Sequence, residues 1–312
     1  MICIIQDAQL TREIWVCKLG THLIMKSYTT RLHRGLNSRV DDFLVNRLLP
    51  SGAIRSVGAI VLLDHTYPVN LQQENFTRPY GQHAHPHRGI ATLSYVLSGS
   101  LSHYDSMGNH GFVNKGGIQW MKAGNGIIHE EKPFLAERDG PTFHSLQFWI
   151  NLPGDRKKDD PEYISLQTRD IPEAALPKHS GTIRILVGKF GIWASAIPTF
   201  NDEFIYHIRL NPNSTFPFSP PNGHEVAAFV PVTEIAINSR VIGNSKLLLI
   251  GEDIGEIVFY NDQIKVADVL VFGGSPYTEP IFAEGPFVMN SALEIASAYK
   301  DFFEGLYGTI PY

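Results

Sequence analysis

Cysteine is almost absent: Cys3 and Cys17 are the only two in 312 residues, which excludes a disulfide framework and leaves no thiolate cluster for zinc. A reducing compartment suits such a chain. Long apolar runs are missing as well. No stretch reaches the roughly 18 residues that span a bilayer, and the opening MICIIQDAQLTREIWVCKLG carries Asp7, Arg12 and Glu13 where a secretory signal needs unbroken apolar residues. No membrane association and a cytoplasmic location are therefore expected. Nor is there an excess of positive charge. Lys and Arg number 26 against 31 Asp and Glu, a formal net charge of -5, so no general attraction to phosphate backbones and no direct nucleic-acid contact are expected. Several catalytic loops are lacking: there is no GxSxG elbow, no GxxxxGK[ST] loop and no HExxH, and GNGIIH, from Gly124 to His129, lacks the third glycine of a dinucleotide fingerprint. Nucleophilic hydrolysis has no support.

What is present is glycine, proline and strand-length apolar pieces. With 27 Gly, 20 Pro and 18% charged residues, the composition fits short strands joined by many turns rather than long helices. The chain exceeds what one core usually supports, so two similar domains are expected. AIRSVGAIVLLD, ATLSYVLSG, SLSHYDS, GFVNKGG, IQWMKAG and FHSLQFWINLP read as strands linked by hairpins. In HSLQFWINL, Leu146, Phe148 and Ile150 share one parity, as for a strand with one buried face, and Trp149 breaks the alternation. The polar, Pro-punctuated segment from Asn151 to Tyr163 is the candidate boundary. A second series of strand-like pieces lies beyond it, including TIRILVG, EFIYHIRL, EVAAFVPV, SKLLLIG and DQIKVADVLVFGG. Near the end, Ser291 and Glu294 make a capping-box pattern, and Leu293, Ile295, Ala296, Tyr299 and Phe302 recur near helical spacing. An amphipathic helix ending near Gly305 and packed on the outside of a barrel is expected. The first 24 residues do not resemble the rest of the chain, and Met25 begins a more ordinary opening.

Seven of the 13 histidines fall between positions 83 and 144. In GQHAHPHRG, His85 and His87 stand two apart, so on an extended strand both imidazoles face one way and can reach one ion. Pro86 cannot donate to a ladder, which puts this strand at a rim or edge. In AGNGIIHEEKP, His129 and Glu131 are again two apart, and Gly124 and Gly126 supply the tight turn before them. Parity selects Glu131 over Glu130. Two such pairs on neighbouring strands would converge on a mixed nitrogen and oxygen site for one divalent ion, suited to iron(II), manganese, nickel, copper or zinc and not to calcium. Six-coordinate geometry would leave two positions open for dioxygen or a chelating substrate. An isolated HxH is more often an accident of the surface or core; its pairing with HxE argues for a site. For His83, His103, His110 and His144 a plain structural reading is preferred to a supporting or surface role. Phe148, Trp120 and Met121 are candidates for a pocket wall, with plain core as the simpler reading of each.

HPHRGIATLSYVLSG, GGIQWMKAGNGIIHEE, LQFWINLP and GPFVMN together resemble the pirin family of the cupin superfamily, over about Arg31 to Tyr307. The resemblance implies an all-β bicupin, two antiparallel β-barrels with a short C-terminal helix. Residues 25–155 would form the metal-binding barrel and 156–312 a metal-free one, after an extension over 1–24. It implies His85, His87, His129 and Glu131 as ligands, commonly of iron, the set that parity selects. In the second half His224 and Glu279 stand apart from any HxH or HxE. One departure is Ala91, where pirins and cupins usually carry Glu. The implied activity is that of quercetinases, which open a flavonol with dioxygen and release carbon monoxide, with Glu131 taking the hydroxyl proton. A non-enzymatic redox regulator acting through a protein partner, and a metal cupin acting on another small molecule, are the alternatives.

Overall fold

Pieces such as IATLSYVLS and FIYHIRL are rich in β-branched and aromatic residues and are bounded by glycine or asparagine turns, so they extend and pair rather than coil. The computed structural model describes residues 11–19, 22–52, 54–72, 78–135, 140–251 and 255–312. Its strands make two antiparallel units, each combining a large sheet with a four-stranded one. In the first unit a seven-stranded sheet runs Glu162–Leu166, Ile118–Lys122, Ile90–Ser98, Thr142–Asn151, Ile60–Asn70, Phe43–Leu49, Leu36–Val40. Its four-stranded sheet runs His85–His87, Ile127–Phe134, Ser100–Asp105, His110–Asn114. The second unit has an eight-stranded sheet built on Glu225–Val230, Ala267–Gly274 and Phe204–Leu210, and a four-stranded sheet containing Ser214–Phe218 and Ile257–Asn261.

The chain crosses between the units more than once. His22–His33 pairs with Lys246–Ile250 of the second unit through Thr30 to His33, although Leu36–Val40 already belongs to the first. Beyond the polar crossing, Glu162–Leu166 returns to the first unit as the partner of Ile118–Lys122. Of the expected extension, residues 1–10 lie outside the described residues, and Thr11–Leu19 pairs with His22–His33 as a hairpin.

The two large sheets pack face to face. Leu93, Tyr95, Trp120, Leu146 and Phe148 of one meet Ile205, Ala227, Phe229, Leu270 and Phe272 of the other in a single apolar core. The strand expected to have one buried face therefore has two. Leu146, Phe148 and Ile150 enter this core while Gln147 and Trp149 face the interior of the first unit, which is why Trp149 breaks the pattern. Phe148 and Trp120 turn away from the site interior and are core residues; Met121, on the inner face, packs with Ile90 and Ile127. The interior of the second unit is filled by apolar side chains such as Ile208, Phe216, Phe259 and Val271.

The last forty or so residues return to the first unit. The hairpin of Phe282–Glu284 and Phe287–Met289 bridges Arg88 through Phe287, and Glu279 accepts hydrogen bonds from Gly154 N and Asn290 Nδ2, both at 2.8 Å. The helix Ala292–Phe303 begins as its capping box predicts, Ser291 Oγ accepting from Glu294 N at 3.2 Å. It packs Ile295, Ala298 and Phe302 with Phe287, Tyr307 and Ile128. Arg88 secures it, donating to Asp301 at 2.5 Å and Asn125 at 2.7 Å. Lys157 is 1% exposed. Burial pushes its ammonium down to about 7, yet its three hydrogens have three acceptors, Asn151 Oδ1 at 2.5 Å and the carbonyls of Gly89 and Val288 at 2.8 Å. It thus ties two strand ends of the first unit to the returning segment.

Substitution and pH each probe this packing. Gly89 has φ +80° and an added Cβ would lie 2.0 Å from Val288 O, whereas Gly52, φ +56°, would meet nothing within 4 Å. Gly89→Ala should cost about 3 kcal/mol or more and Gly52→Ala about 1, read by denaturant titration. His65 and His144 face each other Nε2 to Nε2 at 2.7 Å beside the interdomain core. Burial lowers His65 to about 3 and His144 to about 4. The folded state resists protonating them, so the stability they permit is intact above about pH 6.5 and declines as pH falls toward 4, by about 3 kcal/mol for each ring. Urea titrations at stepped pH should show that slope, and His65→Gln should flatten it.

Candidate metal centre

The sheet order alone brings the two sequence pairs together. His85–His87 and Ile127–Phe134 are antiparallel neighbours with His129 opposite His85, so the alternating residues of both point into the first unit. One ring nitrogen from each of His85, His87 and His129 lies within 4.8 Å of the others, and Nε2 of His129 is 3.1 Å from Nε2 of His85. His85 is the most exposed of the three; His87 and His129 are buried. Gly126 closes the turn before His129, with φ +127° and Tyr307 packed where a Cβ would stand.

Backbone carbonyls fix the ring tautomers. Nδ1 of His85 donates to His83 O at 2.9 Å and Nδ1 of His87 to Pro286 O at 3.0 Å, which leaves both Nε2 lone pairs free. The carbonyl of Pro286 comes from the returning segment and explains why GPFVMN accompanies the histidine pairs in the sequence. Burial and then repulsion from neighbouring imidazoles lower His87 to about 3 and hold His129 well below its ordinary value, so both rings are neutral. Two buried polar atoms here, His129 Nδ1 and Trp149 Nε1, have no hydrogen-bond partner, and the Trp149 ring stands 5.0 Å from that of His87. Convergent neutral imidazoles with bare nitrogens fit a borderline transition metal.

On the other side of Ile127–Phe134 lies Ser100–Asp105, with His103 opposite Glu131. A ring nitrogen of His103, one of His129 and a carboxylate oxygen of Glu131 form a second set within 4.8 Å. The structure thus groups Glu131 with His129 and with His103, and does not bring it into the set of His85 and His87. Nε2 of His103 is 3.0 Å from Asp105 Oδ2, and its ring stacks on Tyr163 at 4.2 Å. Burial pushes the Asp105 carboxyl up, but hydrogen bonds from His103 and Asn109 outweigh it and hold it below the usual range. Sequence reading passed over this pair, although His103 and Asp105 show the same two-residue spacing as His129 and Glu131.

Three neutral donors grip Glu131. Ser94 Oγ and Gln119 Nε2 donate to Oε1 at 2.8 and 2.5 Å, and Gln147 Nε2 donates to Oε2 at 2.9 Å. Tyr163 donates to Gln119 Oε1 at 3.2 Å, which orients that amide. Such a donor set fixes the orientation of the carboxyl group. Glu130, of opposite parity, points away and holds the approach loop, accepting from Gly81 N at 2.8 Å, His83 N at 3.1 Å and Tyr312 Oη at 2.5 Å. Ala91 is fully buried in the interdomain core with Leu93 and Tyr95. A carboxylate there would enter apolar packing, so its absence leaves the histidine cluster intact. A cavity of about 540 Å³ opens beside Glu131, walled by Phe43, Leu71 and Phe134 with His83 at its rim.

Two antiparallel units of this kind, one apolar inside and one holding a histidine cluster, define a bicupin. Residues 42–150 match the Pirin family model and residues 205–308 that of the pirin C-terminal cupin domain. A pirin-like protein of Solanum lycopersicum is 34% identical over 263 residues, covering 82% of this chain and 88% of that protein. Homo sapiens pirin is 32% identical over 230 residues, covering 72% and 77% respectively. A crystal structure of quercetin 2,3-dioxygenase from Acinetobacter baumannii superposes with a TM-score of 0.80 at 29% identity, covering 88% of this chain and 96% of that one. The chain belongs to the pirin family. Among the described residues no helix is long and apolar enough to cross a membrane.

Equilibrium loading followed by elemental analysis checks the cluster. His87→Ala and His129→Ala should each reduce bound divalent metal by tenfold or more, Gln147→Leu should weaken affinity by about tenfold, and Glu130→Gln should retain stoichiometric binding.

Proposed function

We propose that this chain is a metal-dependent oxygenase that opens a flavonol such as quercetin with dioxygen, with His85, His87, His129 and Glu131 holding the metal. The observation that carries the reading is the juxtaposition of bare imidazole nitrogens, a firmly oriented glutamate and a cavity partly walled by apolar side chains in one unit. The relative named a quercetin 2,3-dioxygenase, 29% identical and spanning nearly its whole length, supports the same chemistry. Iron(II) is the first choice, with manganese, nickel, copper or zinc as alternatives; such an ion supplies open coordination positions and, where redox-active, a means of using dioxygen.

The protein's own part is set by its hydrogen bonds. Glu131 Oε2 carries one hydrogen bond where Oε1 carries two, so Oε2 is the atom with spare capacity to take the flavonol hydroxyl proton. Gln147, already donating to Oε2, keeps the acid oriented. A cavity of about 540 Å³ is of the size that holds small ligands, and Phe43, Leu71 and Phe134 offer apolar surface to flat rings. His87 lies deeper, where burial keeps water away from its neutral ring, with the partly buried Trp149 beside it.

The test loads metal-free protein with iron(II) under nitrogen, adds quercetin, admits air, and follows flavonol absorbance and carbon monoxide. Both signals are expected, both should vanish in His129→Ala, and Glu131→Gln, assayed with excess metal so that its site stays loaded, should lower turnover by about 10²-fold or more. Stoichiometric metal with neither flavonol loss nor carbon monoxide would overturn the reading.

A further inference from the structure

A second and larger cavity, about 930 Å³, lies between the two units, away from the histidine cluster. Tyr95 and His144 reach it from the first unit, and Arg184, His207, Arg209 and Asp268 from the second. Neither unit alone makes the site, and the oxygenase reading uses none of these groups.

Two hydrogen-bond chains end there. The first begins at Asn46, whose amide nitrogen is identified by the carbonyls of Arg34 and Ser245, each at 3.0 Å. That nitrogen also donates to Ser245 Oγ at 2.9 Å. His65 Nδ1, at 2.9 Å, is the acceptor within reach of the Ser245 hydroxyl hydrogen, and in that assignment His65 Nε2–H donates to His144 Nε2 at 2.7 Å. In this assignment His144 carries its hydrogen on Nδ1. His144 is 5% exposed, lines the cavity, and has no hydrogen-bond partner for Nδ1 among the described residues. That atom opens on the cavity and is free to donate to a ligand there.

The second chain is closed. Arg184 offers only hydrogens, so Tyr95 Oη accepts from its Nη1 at 3.1 Å and donates to His207 Nδ1 at 2.7 Å, and His207 Nε2–H donates to Asp268 at 2.9 Å. Arg184 is also spent on Gly116 O, Thr168 O and Thr168 Oγ1, and its Nε lies 3.4 Å from Glu173. The floor is thus rigid and already satisfied.

The rim has the opposite character. In a chain of net charge -5, the lining has four cations, Lys115, Arg169, Arg184 and Arg209, against Glu173 and Asp268. Both acids are engaged, Glu173 by Arg184 and Asp268 by His207 and Arg209. Lys115 is exposed and has no ion-pair partner among the described residues. Beside these cations, Trp193 is 42% exposed and Val232 51%. Apolar surface next to uncompensated positive charge matches a molecule with one hydrocarbon part and one acid group.

We propose that this interdomain cleft is a second ligand site that takes an organic carboxylate, which accepts the Nδ1–H of His144, pairs with Lys115 and Arg209, and lays its hydrocarbon part on Trp193 and Val232. The cleft is independent of the metal.

The probe is 2-naphthoate, titrated by calorimetry into the full chain, with neutral 2-naphthamide as its control. Naphthoate should bind saturably with equal affinity to metal-loaded protein, metal-free protein and His129→Ala, which separates this site from the oxygenase centre. Lys115→Ala and Arg209→Gln should each weaken it by about five- to tenfold. Nitrogen-15 spectra of the imidazoles should show the Nδ1–H of His144 shifting on titration while His207 keeps its signal. The proposal is overturned by equal affinity for the amide, by affinity unchanged in both charge variants, by an unmoved His144 signal, or by no binding up to about 10 mM, a concentration at which even a weak specific site would fill.

Discussion

The packing of the two large sheets against each other governs what the remaining parts can do. Once Leu93, Tyr95, Trp120 and Phe148 are committed to a shared apolar core with Phe229, Leu270 and Phe272, the other face of the same strands is left to the interior of the first unit. Successive residues on a strand point to opposite faces, so each strand serves two masters. Leu93 and Tyr95 hold the units together while Ser94 between them grips Glu131. Phe148 does the first job and Gln147 the second. Stability comes chiefly from the interdomain face, which leaves the inner face free to carry polar groups that would weaken an ordinary core.

Those inner polar groups are kept in order by neighbours that contribute no ligand atom of their own. Carbonyls of His83 and Pro286 set the tautomers of His85 and His87, Tyr163 sets the amide of Gln119, and Asp105 holds His103. Burial and mutual repulsion keep the imidazoles neutral, the state in which they can share lone pairs with a cation. The second unit's interior does nothing of this kind; it is packed with isoleucine, valine and phenylalanine. Its contribution comes through the surface it offers to the first unit and through the chain that leaves it, whose Phe282–Met289 hairpin and terminal helix lock onto Arg88 and the strand before it.

The interface is also where polar groups from both units meet. His65, His144 and Tyr95 from one side approach Ser245, Arg184 and His207 from the other, in a layer that is otherwise apolar. Polar groups buried between domains are costly unless each finds its partner. Here nearly every group along both chains has a partner, Asn46 Oδ1 being one that does not, and His144 Nδ1 opens on the interdomain cleft.

Local rules were enough to reveal much of this in the sequence. The alternation of HPH and HEE, the glycines at 124 and 126, and the capping box at Ser291 act within a few residues, and each predicted its feature because strand parity, turn conformation and helix capping are local matters. Parity also separated Glu131 from Glu130, which the structure turns to opposite faces. What parity leaves open is which of two faces meets the site when both are buried. For that reason Trp120 and Phe148 could be offered as pocket wall although they stand on the far side, and Ala91 could look like a missing carboxylate although its side chain enters the interdomain core. The placement of His103 beside Glu131, the carbonyl of Pro286 beneath His87 and the cleft between the units join residues tens to hundreds of positions apart. Sequence determined which way each side chain alternates; strand order and the docking of one sheet on another decided what it meets there, because those depend on the whole core being buried at once.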